Sequence, residues 1–487
     1  MKFTLSWLKD HLDTHAHLGE IVDRLTALGI EVEEVVDRGA LLEPFTVARI
    51  VTAEPHPDAD RLQVCTIDIG AGDTGAEQVQ VVCGAPNARA GLVGVFAGVG
   101  TTVPGIGLKL KKTKIRGVES HGMMCSAKEM CLGEDHDGII ELPENAPLGV
   151  PFAEIAGLND PVIDVAITPN RADCTGVRGI ARDLAAAGLG KLKPRPVTAV
   201  ESAFKEGVGV TLDFKKDTAG ACPVFVARSI KGIKNGDSPQ WLADRLSAVG
   251  LRPISALVDI TNYFTLDLAR PLHVFDAAKL SGDLVVRLSK KGEKLAALDD
   301  KDYALEDGMT VIADKSGVLG LGGIIGGAST GCGEDTTDVV LECALFDPIR
   351  TAATGRKLMI DSDARYRFER GVDPAGVIEG MEAATRMILD LCGGEAGEPV
   401  IAGAVPDLSR AITLRTSRIA DLGGVDMDAD GVRHILRPLG FTVSDTHDEL
   451  TVTPPSWRHD VEGEADLVEE VLRVHGYDRI PAVSLPR

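Results

Sequence analysis

Val79-Gln80-Val81-Val82-Cys83-Gly84-Ala85-Pro86-Asn87 is a β-branched run stopped by a Gly-Ala-Pro turn, and Leu92–Phe96 resumes the pattern. Val47–Val51 and Leu62–Ile69 upstream read the same way, so the stretch from about 40 to 150 predicts closely spaced strands forming a small barrel. On either side the hydrophobic period lengthens. Trp7, Leu8, Leu18, Ile21, Val22, Leu25 and Leu28 make one apolar helix stripe, ended by Gly29, and Glu31–Val36 alternates like a strand. Helix-like Arg178–Ala187 closes at Gly188, before a Lys/Pro-rich linker, Lys191–Pro196. A mixed region from about 210 to 395 predicts helices at 239–249 and 374–391, strands near 256–263 and 309–313, and a glycine-rich passage at 317–331. The last region predicts a strand at 411–415, a helix at 430–437, a strand pair around 441–453 and a helix from about 461 to 475. The fold class is α+β, with several small domains.

The chain has 487 residues, 44% of them hydrophobic and 25% charged, as in ordinary globular proteins. At roughly 150 residues per domain it holds about three domains. Its 51 basic and 73 acidic side chains give a net charge of −22, which excludes a broadly basic phosphate-binding surface but not a local one. The nine cysteines form no CxxC pair, as expected of free thiols in a reducing compartment. No signal-peptide core follows Met1, and the uncharged run Gly91–Leu108 is too rich in glycine for a spanning helix. The expected setting is cytoplasmic, with no membrane partner.

Lys109, Lys111, Lys112, Lys114 and Arg116 crowd five positive charges into the barrel region. In a continuous strand Lys112, Lys114 and Arg116 share one face, suited to a nucleic-acid backbone or, more simply, to a solvated edge strand. Residues 45–150 carry 9 basic and 13 acidic residues, a net of −4, so charge alone does not decide. His56, Cys83, His121 and Cys125 lack a second short-spaced pair, which favours buried or turn residues over a zinc site. His56-Pro57-Asp58-Ala59-Asp60-Arg61-Leu62, Val82–Asn87 and Arg116–Ser126 occur in an order that resembles the tRNA-binding OB-fold domain of aminoacyl-tRNA synthetases.

Four further blocks extend the likeness. They are Thr168-Pro169-Asn170-Arg171-Ala172-Asp173-Cys174, Pro271-Leu272-His273-Val274-Phe275-Asp276, Arg365–Pro374 and Pro455-Ser456-Trp457-Arg458-His459-Asp460. Together they resemble the bacterial phenylalanine–tRNA ligase β-subunit family, over essentially the whole chain. The resemblance implies a discontinuous N-terminal α/β domain at 1–38 and 151–200 and an OB-fold tRNA-binding domain at 39–150. It further implies a mixed α/β editing domain at 205–398 and a small helix-containing α+β domain at 402–480.

Such an editing domain hydrolyses tyrosine wrongly attached to tRNA. A pocket selecting an apolar ring rejects an added hydroxyl weakly, whereas a second site that hydrogen-bonds the hydroxyl can spare the analogue lacking it. The resemblance places Thr261, Asn262, His273 and Glu342 in that pocket. Glu342 would accept the tyrosyl hydroxyl, Thr261 and Asn262 would hold polar groups of the aminoacyl adenosine, and His273 would orient the ester or its attacking water. Gly322, Gly323, Gly326 and Gly327 would let the backbone approach the substrate. Read locally, His273 could equally be a packed histidine bonded to backbone, and Glu342 the exposed residue of an alternating strand. Arg365, Arg367 and Arg370 could be a salt-bridged strand face. Gly323-Ile324-Ile325-Gly326-Gly327 and Cys343 depart from the family's usual Gly-Val-Met-Gly-Gly and serine.

Asp466, Glu469 and Glu470 fall at i, i+3 and i+4 of the last helix, with Asp460 just before it. Without the family, Asp460 is an N-cap and Glu469 pairs with Arg473; the resemblance implies instead a Mg²⁺ site shared with the catalytic α subunit. It implies a ligase that uses ATP to join phenylalanine to tRNA(Phe) in an α2β2 tetramer, this chain being the N-terminal portion of β and unable to aminoacylate alone. The rival reading is a non-catalytic tRNA-binding module. A weaker third, a DNA-binding protein, conflicts with the acidic helix 461–470, so no DNA partner is expected.

Overall fold

The computed structural model describes residues 1–72, 75–446 and 449–482; positions 73–74 of the expected barrel and 447–448 of the expected C-terminal strand pair lie outside the described residues. The chain divides into two compact units, Val35–Val162 and Met1–Glu34 with Ile163–Arg487. The fold is mixed α+β. No described helix is long and apolar enough to cross a membrane.

Val35–Val162 is built on an antiparallel sheet in the order Gly122–Met124, Val93–Gly98, Phe45–His56, Ala59–Gly72, Gly75–Cys83. The sheet curls until its outer strands meet: His121 N–H donates to Gln80 O at 2.9 Å and Val82 N–H to Ser120 Oγ at 3.1 Å. The result is nearly a closed barrel. Alternate residues Ala48, Ile50, Cys65, Ile67 and Val81 fill it with Phe96 and Met124.

In the larger unit two five-stranded sheets lie at the centre. One contains His273–Asp276, Asp338–Leu345, Val224–Lys231 and Glu395–Ala396, with Val400–Gly403 also paired to Val224–Lys231. The other runs Val210–Asp213, Leu284–Leu288, Thr310–Asp314, Gly317–Leu321, Ile325–Gly326. Helices Ala256–Leu268 and Gly376–Cys392 pack together, the second also covering strand Asp338–Leu345. The C-terminal part has an antiparallel sheet of Ile412–Arg415, Glu449–Thr453 and Thr442–Thr446 with helices Ser417–Gly423, Ala429–Leu436 and Glu464–His475.

Two local expectations change. The strand expected near 256–263 is the helix Ala256–Leu268. Val258, Ile260 and Thr261 suggest a strand, but Leu257, Ile260, Thr261 and Phe264 recur at helical spacing and are all buried. The arginine-rich block is also helical, Asp363–Phe368 capped by Ser362. Arg365 and Arg367 pair with Glu369 and Asp363 one turn away rather than across a strand.

Candidate functional site

Strand Asp338–Leu345 is buried on both faces, flanked by His273–Asp276 and Val224–Lys231. That position explains why its only charged interior residue, Glu342, is 6% exposed instead of pointing to solvent. The antiparallel register sets His273 directly opposite Glu342 and Ala227 on Glu342's other side. Directly opposed residues share a sheet face, so the imidazole and the carboxyl are neighbours.

Neither group is satisfied. His273 Nε2 and Glu342 Oε2 are buried and have no hydrogen-bond partner. Burial alone pushes the Glu342 carboxyl up to about 8 and the His273 imidazole down to about 4. Both are therefore neutral near pH 7. Nearly all buried polar groups in folded proteins are paired, and leaving one unpaired costs about 1–3 kcal/mol. Two such atoms stand on directly opposed residues. The backbone-bonded histidine and exposed glutamate allowed by local reading are both absent.

A Cβ at Gly326 would stand 2.4 Å from the His273 ring, so the ring lies against a glycine backbone. Phe275, two residues along the same strand, meets that ring edge-on at 4.4 Å. Gly327 closes on the Leu319 carbonyl, where a Cβ would come within 2.5 Å. Gly322 and Gly323 face Phe346 instead, with Phe368 beside Gly323, which takes φ +72° at the turn between Gly317–Leu321 and Ile325–Gly326. Thr261 donates its hydroxyl to Val258 O at 2.7 Å within its own helix, and Asn262 on the next position is half-buried. Sequence reasoning did not single out Phe275 or the contact between Gly326 and His273. The Phe275 signal was its i+2 spacing from His273.

The four carboxylates near the C-terminus do not converge. Arg458 grips Asp460 with two bonds of 2.8 Å and also binds Glu470. Arg473 reaches Glu470 at 2.6 Å and Asp183 at 2.6 Å, and Asp183 also accepts from Arg171 at 2.8 Å. Burial raises the Glu470 carboxyl, but Arg473 and Arg458 more than offset it and hold it near 2. Asp466 accepts the backbone N–H groups of Glu462 and Gly463, both at 2.9 Å, capping the helix start, while Glu469 is exposed. Gly463, not Asp460, is the N-cap, and Arg473 pairs with Glu470 rather than Glu469. As arranged, these residues do not fit a cation: arginines already neutralise Asp460 and Glu470, and Glu469 faces away. Asp173, Cys174 and Asp183 also come together, with Arg171 bonded to all three.

In the barrel unit Lys109, Lys111, Lys112, Lys114 and Arg116 are all exposed. They do not lie on one strand. Lys109 ends Leu108–Lys109, Lys114 is in Thr113–Ile115, and Arg116 sits in the following turn at φ 45°. Lys112 pairs with Glu119 at 3.0 Å, Lys114 stands 3.9 Å from it, and Arg116 donates to Asp58 O. His56 is engaged by Ile115 O and Asp58 N–H, as a turn histidine would be.

Three family profiles match: "Putative tRNA binding domain" over 45–151, "B3/4 domain" over 221–393 and "tRNA synthetase B5 domain" over 412–477. The chain is 60% identical over 487 residues to a protein named phenylalanine–tRNA ligase beta subunit from Paramagnetospirillum magneticum, and 57% identical over 489 to one from Rhodospirillum rubrum. Each alignment covers all of this chain and 60% of the relative, so the chain spans about three-fifths of these relatives' length. An N-terminal fragment of the phenylalanyl-tRNA synthetase beta subunit from Pyrococcus horikoshii aligns at 17% identity and TM-score 0.36, covering 65% of this chain and 88% of that one.

Proposed function

Because this chain belongs to the phenylalanine–tRNA ligase β-subunit family, we propose that it contributes tRNA binding and hydrolytic editing of mischarged Tyr-tRNA to such a ligase. In the whole enzyme, with α subunits in an α2β2 assembly in the cytoplasm, ATP, L-phenylalanine and tRNA(Phe) become Phe-tRNA, AMP and diphosphate. The Val35–Val162 unit, read as an OB-fold, holds tRNA through the exposed Lys109–Arg116 strip.

The observation that carries the editing reading is the pair of buried, unpartnered polar atoms on His273 and Glu342. A neutral Glu342 carboxyl can both accept from and donate to a phenol. Tyrosine supplies that partner; phenylalanine leaves the carboxyl unpaired and is penalised. Hydrolysis adds a water oxygen to the ester carbonyl carbon, breaks the bond to the ribose oxygen and returns a proton to that oxygen. With a pKa near 4, His273 is a weak base at neutral pH; it positions the water or ester by hydrogen bonding. Gly326 leaves room for the imidazole, while Thr261 and Asn262 contact the adenosine, and Gly322, Gly323 and Gly327 shape the pocket wall. A Mg²⁺ shared with an α subunit at Asp460, Asp466, Glu469 and Glu470 would need Asp460 and Glu470 to leave their arginines, and no step is assigned to it.

The test is deacylation of Tyr-tRNA(Phe) by the chain and by a His273→Ala, Glu342→Ala double variant. Faster hydrolysis by the unmodified chain supports editing. Equal rates with intact tRNA binding would identify a non-catalytic module instead.

A further inference from the structure

A cavity of about 250 Å³ opens in the larger unit among helix Val177–Ala186, the segment 268–270, the stretch 371–380 and Trp457. Four arginines, Arg178, Arg182, Arg195 and Arg270, are among the residues that line it. Such a cluster is conspicuous in a chain of net charge −22. Three carboxylates also line it, Asp173, Asp373 and Glu379. Asp173 is already gripped by Arg171, with bonds of 2.9 and 3.0 Å, and stands 3.8 Å from Arg182, beyond hydrogen-bond reach. Asp373 Oδ1 also accepts the Ala375 N–H at 3.0 Å, so four arginines share Glu379 and the remaining capacity of Asp373 and Asp173.

Two of the arginines, Arg182 and Arg270, are held rather than free to turn into solvent. Arg182 is 14% exposed and stacks on the Trp457 ring at 4.0 Å, yet its buried Nη1 has no hydrogen-bond partner. Trp457 Nε1 is buried and unpartnered as well. Arg270 is 2% exposed and lies along Gly376 and Gly380, one helical turn apart, where a Cβ would stand 3.1 and 3.0 Å from its side chain. Its guanidinium donates to the Asp373 and Ala344 carbonyls. Arg178 donates to Lys193 O. Its charged form is disfavoured by burial and then by the neighbouring Arg182 and Arg195 charges; that of Arg182 is disfavoured by burial despite nearby carboxylates. A multivalent anion would relieve that repulsion and supply acceptors for unpaired N–H groups, and arginine forks match phosphate oxygens.

We propose that this cavity is a binding site for a phosphate-type oxyanion, inorganic diphosphate above orthophosphate. Neither His273 nor Glu342 lines it, and it does not depend on the editing reading. The test is calorimetric titration of the full 487-residue chain with sodium diphosphate, and separately with orthophosphate, in a buffer free of other oxyanions. The expected result is saturable one-site binding, tighter for diphosphate. Arg195→Ala, in the partly exposed linker, and Arg182→Lys, which keeps the charge but loses the fork, should each weaken it at least tenfold. Lys216→Ala, at an exposed position outside the cavity lining, should leave it unchanged. Thermal melts of each variant establish that it is folded. Absence of saturable binding, or equal affinity in the parent and both arginine variants, would overturn the proposal. So would an equal loss in Lys216→Ala.

Discussion

Two buried glutamates, Glu342 and Glu470, are almost equally hidden, at 6% and 3% exposure, and their surroundings are opposite. Glu470 sits between Arg458 and Arg473 in a chain of ion pairs that continues through Asp183 to Arg171 and Asp173. Glu342 has no counter-charge, only a neutral histidine across the strand, and one oxygen is unpartnered. The first carboxyl is held near 2 and ionised, the second near 8 and neutral. Burial raises both, so the arginines alone separate them. The paired acid fastens segments far apart in sequence. The unpaired one has an oxygen with no partner within the fold.

The largest effect should come from breaking the paired side. Glu470→Ala leaves Arg458 and Arg473 buried and under-compensated, and about 3–5 kcal/mol of stability should be lost, read from urea or thermal unfolding. A loss under about 1 kcal/mol would show that the network is not energetically coupled. On the unpaired side, Gly326→Ala drives a methyl into the His273 ring. Deacylation of Tyr-tRNA should fall about 100-fold, because an ångström of misplacement costs that much, while the fold persists. Unchanged deacylation would remove His273 from the reaction.

The pH responses should have opposite signs. Glu470 has a folded pKa below its unfolded value, so its stabilisation is present above about 4.5 and lost as pH falls towards 2. Glu342 has a folded pKa above its unfolded value, so the folded state holds the extra proton and stability declines as pH rises from about 4.5 to 8. Glu342→Gln should therefore gain about 4 kcal/mol relative to the parent at pH 8 and nothing at pH 4. Melting curves across that range check it, and a flat difference would mean that Glu342 is ionised in the fold. The smallest effect belongs to exposed charge. Lys112→Ala should change stability by less than about 0.5 kcal/mol and lower the salt dependence of tRNA binding by about one ion.

The sequence made much of this legible, and its gaps have physical causes. The barrel strands and most helices follow from hydrophobic period. His273 and Glu342 were nameable only through the family resemblance; local pattern treated Glu342 as an outward residue because alternation assumes a strand with one wet face. Asp338–Leu345 has none. The 256–263 stretch misled because its β-branched residues favour a strand while its spacing makes a helix. The carboxylate spacing at 466–470 was read correctly as helical, yet Asp183 meets Arg473 across 290 positions of sequence. No periodicity carries that information, and it determines whether Glu470 meets a cation or an arginine. Arg182 and Arg270 likewise gain meaning only when distant segments close a cavity around them.

The most direct test compares hydrolysis of Tyr-tRNA(Phe) and Phe-tRNA(Phe) by the parent chain and by Glu342→Ala. The parent should prefer the tyrosyl ester at least tenfold. The substitution should collapse the preference towards one by slowing tyrosyl hydrolysis. A parent with no preference, or a variant that keeps it, would contradict the claim that the unpaired carboxyl reads the hydroxyl.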